Sequence, residues 1–376
     1  MSPKNVCRKV RFNKIKTIIL FLFIGSLCLS CDGKYHPCYH ANLQRTGACD
    51  TAPVKHMRPK WIFQTGGDIV CTPAIHEGKM YGGSNDRYFY CIDADTGRPV
   101  WKFLTKGTVE SSPAIFRETV YFGSGDGCLY ALNTDNGSLK WKYATNDPVV
   151  SAPLAFGSTV VFGSADGNIY ALNAKTGGLL WKISTGKSVY SSAALAGNDL
   201  FIGSNDGYLY CLDASSGTPI WRTYLDGPIL SMPSVDRGTL YIGSHSKELF
   251  AIERATGRIK WRYATEGAIH ACPAVSGGKV VFGSLDHYLY CLNAETGKLE
   301  WKFLNNNVAY ASAVIARGYV FYGSCDGIAY KFRLSNGKML ASYPAGDALK
   351  SISATPCIYK GRLYFGTLAG KFFCLE

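Results

Sequence analysis

The sequence predicts an all-β, eight-bladed propeller of four-stranded antiparallel blades, closed by a Trp61 strand that completes the carboxyl-terminal blade. Three observations carry this expectation. All seven tryptophans, Trp61, Trp101, Trp141, Trp181, Trp221, Trp261 and Trp301, fall forty residues apart. A Gly-Ser pair or its equivalent recurs eight times: at Gly83, Gly123, Gly163, Gly203, Gly243, Gly283 and Gly323 and, after a three-residue slip, at Gly366-Thr367. Each repeat holds four short β-patterned runs with no helical period between them.

A fixed period of this size marks one supersecondary unit copied in series, each copy burying its apolar face against its neighbours. In the second copy, Val120-Tyr121-Phe122 runs into Gly123-Ser124, Asp126-Gly127 turns, and Leu129-Tyr130-Ala131-Leu132 returns. Two aromatic and β-branched runs around a glycine turn read as a hairpin. Asn136-Gly137 breaks the chain before the Trp141-Lys142-Tyr143 strand, and Val149-Val150-Ser151-Ala152-Pro153 opens the next unit. Four antiparallel strands per repeat of about forty residues make a propeller blade. The last copy stops at Phe372-Phe373-Cys374-Leu375-Glu376, and Trp61-Ile62-Phe63-Gln64 has no hairpin before it. Pairing the two closes the ring and removes an exposed edge. Ala341-Ser342-Tyr343 stands where other copies have Trp-Lys-Phe, so the seventh blade reads as degenerate. The chain therefore divides into a leader over 1–31, a lead-in over 32–60 and the propeller over 61–376.

The leader reads as an export signal. Lys4, Arg8, Lys9, Arg11, Lys14 and Lys16 precede an apolar run over 18–29, too short for a comfortable membrane span, and Ser30-Cys31 follows. This resembles a bacterial lipoprotein signal, which implies lipidation of Cys31; simple cleavage and an uncleaved anchor are the alternatives. The leader holds six cations and no acid, so the formal net charge of +13 becomes +7 for residues 32–376. No clustered Lys/Arg run points to nucleic acid.

His40-Ala41-Asn42-Leu43-Gln44-Arg45-Thr46-Gly47, followed by Pro59-Lys60-Trp61, resembles the opening of proteins built from PQQ-like (pyrroloquinoline-quinone-type) repeats. The repeat core Tyr130-Ala131-Leu132-Asn133, Gly137 and Trp141-Lys142 resembles that repeat itself. The resemblance implies one of two classes. Quinoprotein dehydrogenases hold a quinone and calcium with an adjacent cysteine pair, a stacking tryptophan and acidic ligands; here no two cysteines are adjacent and every tryptophan is in register. The second class is the compact, BamB-like lipoprotein of outer-membrane barrel assembly. That resemblance implies a non-catalytic cell-envelope scaffold, lipid-anchored in the periplasm or at the outer membrane, whose partners are envelope proteins, barrel-assembly components among them. It carries no catalytic residues, cofactor or metal. A surface-exposed ligand-binding or sensing module is the alternative, and a PQQ-dependent dehydrogenase a weaker one.

Of the fourteen cysteines, Cys91, Cys211, Cys291 and Cys374 occupy the slot held by Ala131, Ala171 and Ala251 elsewhere, as small core residues do. Cys71 and Cys272 fall in the small-residue run. Cys38 and Cys49 are the pair placed for a disulfide in an oxidising compartment. Runs such as Ser111-Ser112-Pro113-Ala114 and Ser151-Ala152-Pro153-Leu154 suit the crowded axis, so they are assigned to an innermost strand on the channel wall.

Just before that run one position changes freely: Val70, Glu110, Val150, Tyr190, Leu230, His270, Tyr310 and Lys350. Eight side chains around a channel mouth are expected to vary in this way. Glu110, Tyr190, His270, Tyr310 and Lys350 are thus candidate contacts for a ligand or partner; the plainer reading is a water-filled funnel. Asp126, Asp166, Asp206 and Asp326 read as turn residues rather than calcium ligands. The tryptophans read as wedges between blades, and Lys102, Lys142, Lys182, Arg222, Arg262 and Lys302 beside them as a solvated face.

Overall fold

The computed structural model describes residues 35–36, 40–346 and 351–376. Cys31, Cys38 and Lys350 lie outside them, and with them the expectations for lipidation and for a Cys38–Cys49 bridge. All regular structure among the described residues is β, in eight sheets. Blade 2 is representative: an inner strand Ala114–Phe116, then Thr119–Gly123, Cys128–Asn133 and an outer strand Leu139–Ala144. Blade 8 takes Cys357–Tyr359, Arg362–Gly366 and Lys371–Leu375 from the carboxyl end and Pro59–Gln64 from the other. Trp61 lies opposite Cys374 in that pairing, so the ring closes as the sequence predicts.

The tryptophans are wedges. Each indole N–H donates to a backbone carbonyl of the next blade, thirty-three residues on: Trp61 to Ala94, Trp141 to Ala174, Trp301 to Leu334, at 3.1, 3.1 and 2.9 Å. Thirty-six residues on, a glycine with positive φ turns beneath the ring, and a Cβ on Gly337 would sit 2.7 Å from Trp301. The Gly-Ser pair is explained by the same crowding. A Cβ on Gly243 would lie 2.2 Å from Ile269 of the segment leading into the next blade. Gly243→Ala is therefore expected to lower the unfolding free energy by about 1–3 kcal/mol, read from urea denaturation.

The small-residue runs are strand only at their last residue, since regular pairing starts at Ala114, Leu154 and Ala194. Their other backbone groups bond side chains forty residues away on a neighbouring blade. Ser111 and Ser191 donate to the carbonyls of Ser151 and Ser231 at 2.9 and 2.8 Å. The amides of Thr72, Ala152 and Cys272 donate to the hydroxyls of Ser112, Ser192 and Ser312. A buried backbone outside any ladder needs partners, so this position calls for residues both small and polar. Cys71 fits the pattern, its sulfur accepting the Gly83 amide at 3.1 Å as Ser151 Oγ accepts that of Gly163. Cys91, Cys211, Cys291 and Cys374 are core residues, at most 1 % exposed, and burial pushes each thiol up to about 12.

The turn aspartates staple the hairpins. Asp126 accepts the Tyr130 hydroxyl at 2.7 Å and the amides of Cys128 and Lys106 at 3.1 and 2.9 Å. Burial pushes its carboxyl up, but the hydroxyl and the amides outweigh burial, so it titrates below the usual aspartate range. Asp166 is held down in the same way by Tyr170 and Asn168. A depressed folded pKa stabilises above the unfolded value near 3.9 and is lost as pH falls through the folded one. The stability gap between the parent chain and Asp126→Asn is therefore expected to shrink in thermal melts below about pH 4.

Blade 7 is adapted rather than degenerate. Since blade 8 takes its outer strand from Pro59–Gln64, no covalent turn joins its last two strands to receive an indole from Ala341. The lead-in fills the gap: Val54 and Met57, 0 and 3 % exposed, pack with Phe321, Phe365 and Phe373, and Ala341 lies against them. Lys331, in the slot other blades give to Ala or Cys, donates to the Val54 carbonyl at 2.6 Å.

The lead-in also crosses the axis. The carbonyls of Leu43, Gln44, Thr46 and Gly47 accept amides from the inner strands of four successive blades, those of Leu195, Val235, Val275 and Ile315. Ala48–Cys49 then pairs in parallel with Val314–Ala316. Arg45 is fully buried among them, its guanidinium donating to the carbonyls of Ala193 and Pro153 at 3.0 and 3.2 Å. His40, 2 % exposed, has its ring nitrogens against the Arg45 and Ala313 carbonyls, and burial lowers its pKa to about 4.

Candidate functional site: a floored axial funnel

With the inner strands bridged by the lead-in, the axial space becomes a funnel with a floor. Its volume is about 610 Å³. Val70, Glu110, Val150, Tyr190, Leu230, His270, Tyr310 and Ser353 ring it, and beneath them lie Thr72, Ser112, Ala152, Ser192, Met232, Ser312 and Thr355. The uniform approach of each segment explains the ring. The residue before each position plugs onto the glycine of the blade being left, as Val109 does on Gly83, so the next side chain turns towards the axis.

Four of the five expected contacts, Glu110, Tyr190, His270 and Tyr310, therefore line one cavity. Lys350 lies outside the described residues. The three-residue insertion that displaces Gly366 precedes Ser353, which lines the cavity in blade 8. The Ile352 amide bonds Ser324 as the Ala309 amide bonds Ser284, which sets Ser353 in register with Tyr310.

The ring is divided chemically. Val150, Leu230 and Met232 make one side apolar. On the other, His270 stacks on His245 with centroids 4.4 Å apart, and Tyr310 meets His270 edge-on at 5.0 Å. His245, in a hairpin turn, was not legible as a site residue, because only the fold brings it against His270. Burial and the neighbouring His245 hold His270 near pKa 4, so the ring is neutral at pH 7. Both His270 ring nitrogens, His245 Nε2 and Ser353 Oγ are buried without a hydrogen-bond partner in the protein. Glu110 is the one carboxylate among the described lining residues; its Oε1 accepts from Thr108 at 3.3 Å. Tyr190 and Tyr310 remain 37 and 42 % exposed.

An eight-bladed ring of tryptophan-wedged, PQQ-like repeats around a floored funnel defines the class of this protein. The chain belongs to the family described as "Beta-alanine-activating enzyme, beta-propeller", whose model matches residues 38–239. A second model, "Outer membrane protein assembly factor BamB", matches residues 231–376. No curated protein matches the sequence. Among solved structures, BamB from Moraxella catarrhalis is similar at 19 % identity and TM-score 0.73, over 85 % of this chain and 99 % of its own. Quinohemoprotein alcohol dehydrogenase from Comamonas testosteroni is similar at 14 % identity and TM-score 0.78, over 91 % and 80 %. A europium-containing methanol dehydrogenase reaches TM-score 0.80 at 12 % identity, over 92 % and 98 %. At these identities the likenesses show the fold.

The dehydrogenase neighbours raise the question of a quinone and its metal. The described residues contain no group of three His, Cys, Asp or Glu able to hold a metal ion. With Glu110 alone on the funnel wall, this donor set does not fit a quinone–cation pair.

Proposed function

We propose that this protein is a non-catalytic propeller scaffold of the cell envelope that holds a partner protein at the mouth of its axial funnel. The observation that carries the reading is the pair Tyr190 and Tyr310, large aromatic side chains left more than a third exposed on a concave axial cavity. Tyrosine is enriched at protein–protein interfaces, where one broad side chain fills a pocket at low entropic cost. The family match to BamB-like repeats and the basic, then apolar, leader ending in Ser30-Cys31 support an exported, lipid-anchored protein in the periplasm or at the outer membrane. On this reading the partners are envelope proteins, barrel-assembly components among them.

The test is site-specific photo-cross-linking in intact cells, with a benzophenone residue at 190, at 310, or at 142 on an outer strand. Residues 190 and 310 are expected to give a common adduct with one envelope protein that 142 does not give. Equal adducts from all three positions, or none from 190 and 310, would overturn the proposal.

A further inference from the structure

Resting on that docking reading, we propose that the funnel receives a single arginine side chain carried on an extended loop of the partner. Away from the apolar side the wall carries the Glu110 carboxylate, the one charged group among the described lining residues, with the Thr72, Thr108 and Ser112 side chains lining the same cavity. Tyr310, edge-on to His270, lines the same cavity as Glu110. A half-buried carboxylate with a single 3.3 Å donor, from Thr108, keeps acceptor capacity for a ligand. A guanidinium supplies five N–H donors in a planar fork and accepts none, which matches a carboxylate with free acceptor sites. Its aliphatic stem suits Val150, Leu230 and Met232, and the exposed faces of Tyr190 and Tyr310 attract a cation. An anionic group would meet Glu110. Arg45, the cation nearest the axis, lies sealed beneath with its guanidinium on the Ala193 and Pro153 carbonyls.

The full chain can be titrated with the capped peptide acetyl-Gly-Arg-Gly-amide, with its neutral isostere bearing citrulline, and with agmatine as a free guanidinium. The arginine peptide is expected to bind with an affinity that falls as salt is raised. Citrulline in its place, or Glu110→Gln in the protein, is expected to weaken binding by about tenfold or more, the size of one charge-assisted hydrogen bond. Glu110 is half-buried at the cavity wall, so the unfolding midpoint of Glu110→Gln should match the parent chain, which separates lost binding from lost fold. Equal binding of the citrulline peptide, or unchanged affinity in Glu110→Gln, would overturn the inference. Tighter binding of agmatine than of the peptide would also overturn it, pointing to a free cation. If residues 190 and 310 still cross-link while the arginine peptide fails, docking stands and this inference alone falls.

Discussion

Trp301→Ala is expected to lower the unfolding free energy by about 3–5 kcal/mol, the range for emptying a buried tryptophan site. Three contributions act together. The indole is 9 % exposed, so its removal leaves a cavity between blades 6 and 7. The Leu334 carbonyl loses its 2.9 Å donor. Gly337, whose positive φ is shaped to the ring, loses its packing partner. Chemical denaturation followed by circular dichroism measures the effect. The reverse change in blade 7, Ala341→Trp, supplies a sharper check. If tryptophan were simply good for a blade, it would stabilise. Val54 and Met57 already fill that wedge site, so the substitution is expected to destabilise by overpacking, by about 1–3 kcal/mol.

Arg45→Ala is expected to cost about 2–6 kcal/mol, from about 1–3 for each of two buried carbonyls left without its donor. Those carbonyls, of Ala193 and Pro153, belong to neighbouring blades, so Arg45 ties the lead-in to the ring from within. The variant should also expose the Leu195 and Val235 amides, which bond the lead-in at 2.8 and 2.9 Å, and hydrogen exchange reads this directly. Lys175→Ala on an exposed turn serves as the comparison and is expected to stay within about 0.5 kcal/mol of the parent chain. If Arg45→Ala behaves like Lys175→Ala, the lead-in is a surface appendage and the funnel has no fixed floor.

How far each feature was legible depended on whether it repeats. Blade number, strand order and wedging tryptophans recur at a fixed interval, so each copy corroborates the others. The four funnel residues Glu110, Tyr190, His270 and Tyr310 emerged as variable positions within a constant frame. Ser353, which lines the cavity in blade 8, follows a three-residue insertion and so falls outside the forty-residue interval. His245 carries no repeat signal, since its turn position elsewhere is Asn85, Gly125 or Leu285. The small-residue run was legible as crowded but not as hydrogen-bonded, because its partners are forty residues away and only the ring brings them within 3 Å.

Alone, the amino-acid sequence determined the architecture. Periodic apolar and glycine positions specify one blade, and eight copies can bury their faces only by stacking into a closed ring. The tertiary structure decided what happens at the two places without periodicity. Residues 40–58 are unique in the chain, and their burial across the axis and beside blade 7 follows from inner-strand amides and a wedge site that the repeats themselves leave unfilled. That placement turns an open channel into a funnel with a floor, and so sets which side chains can meet a partner.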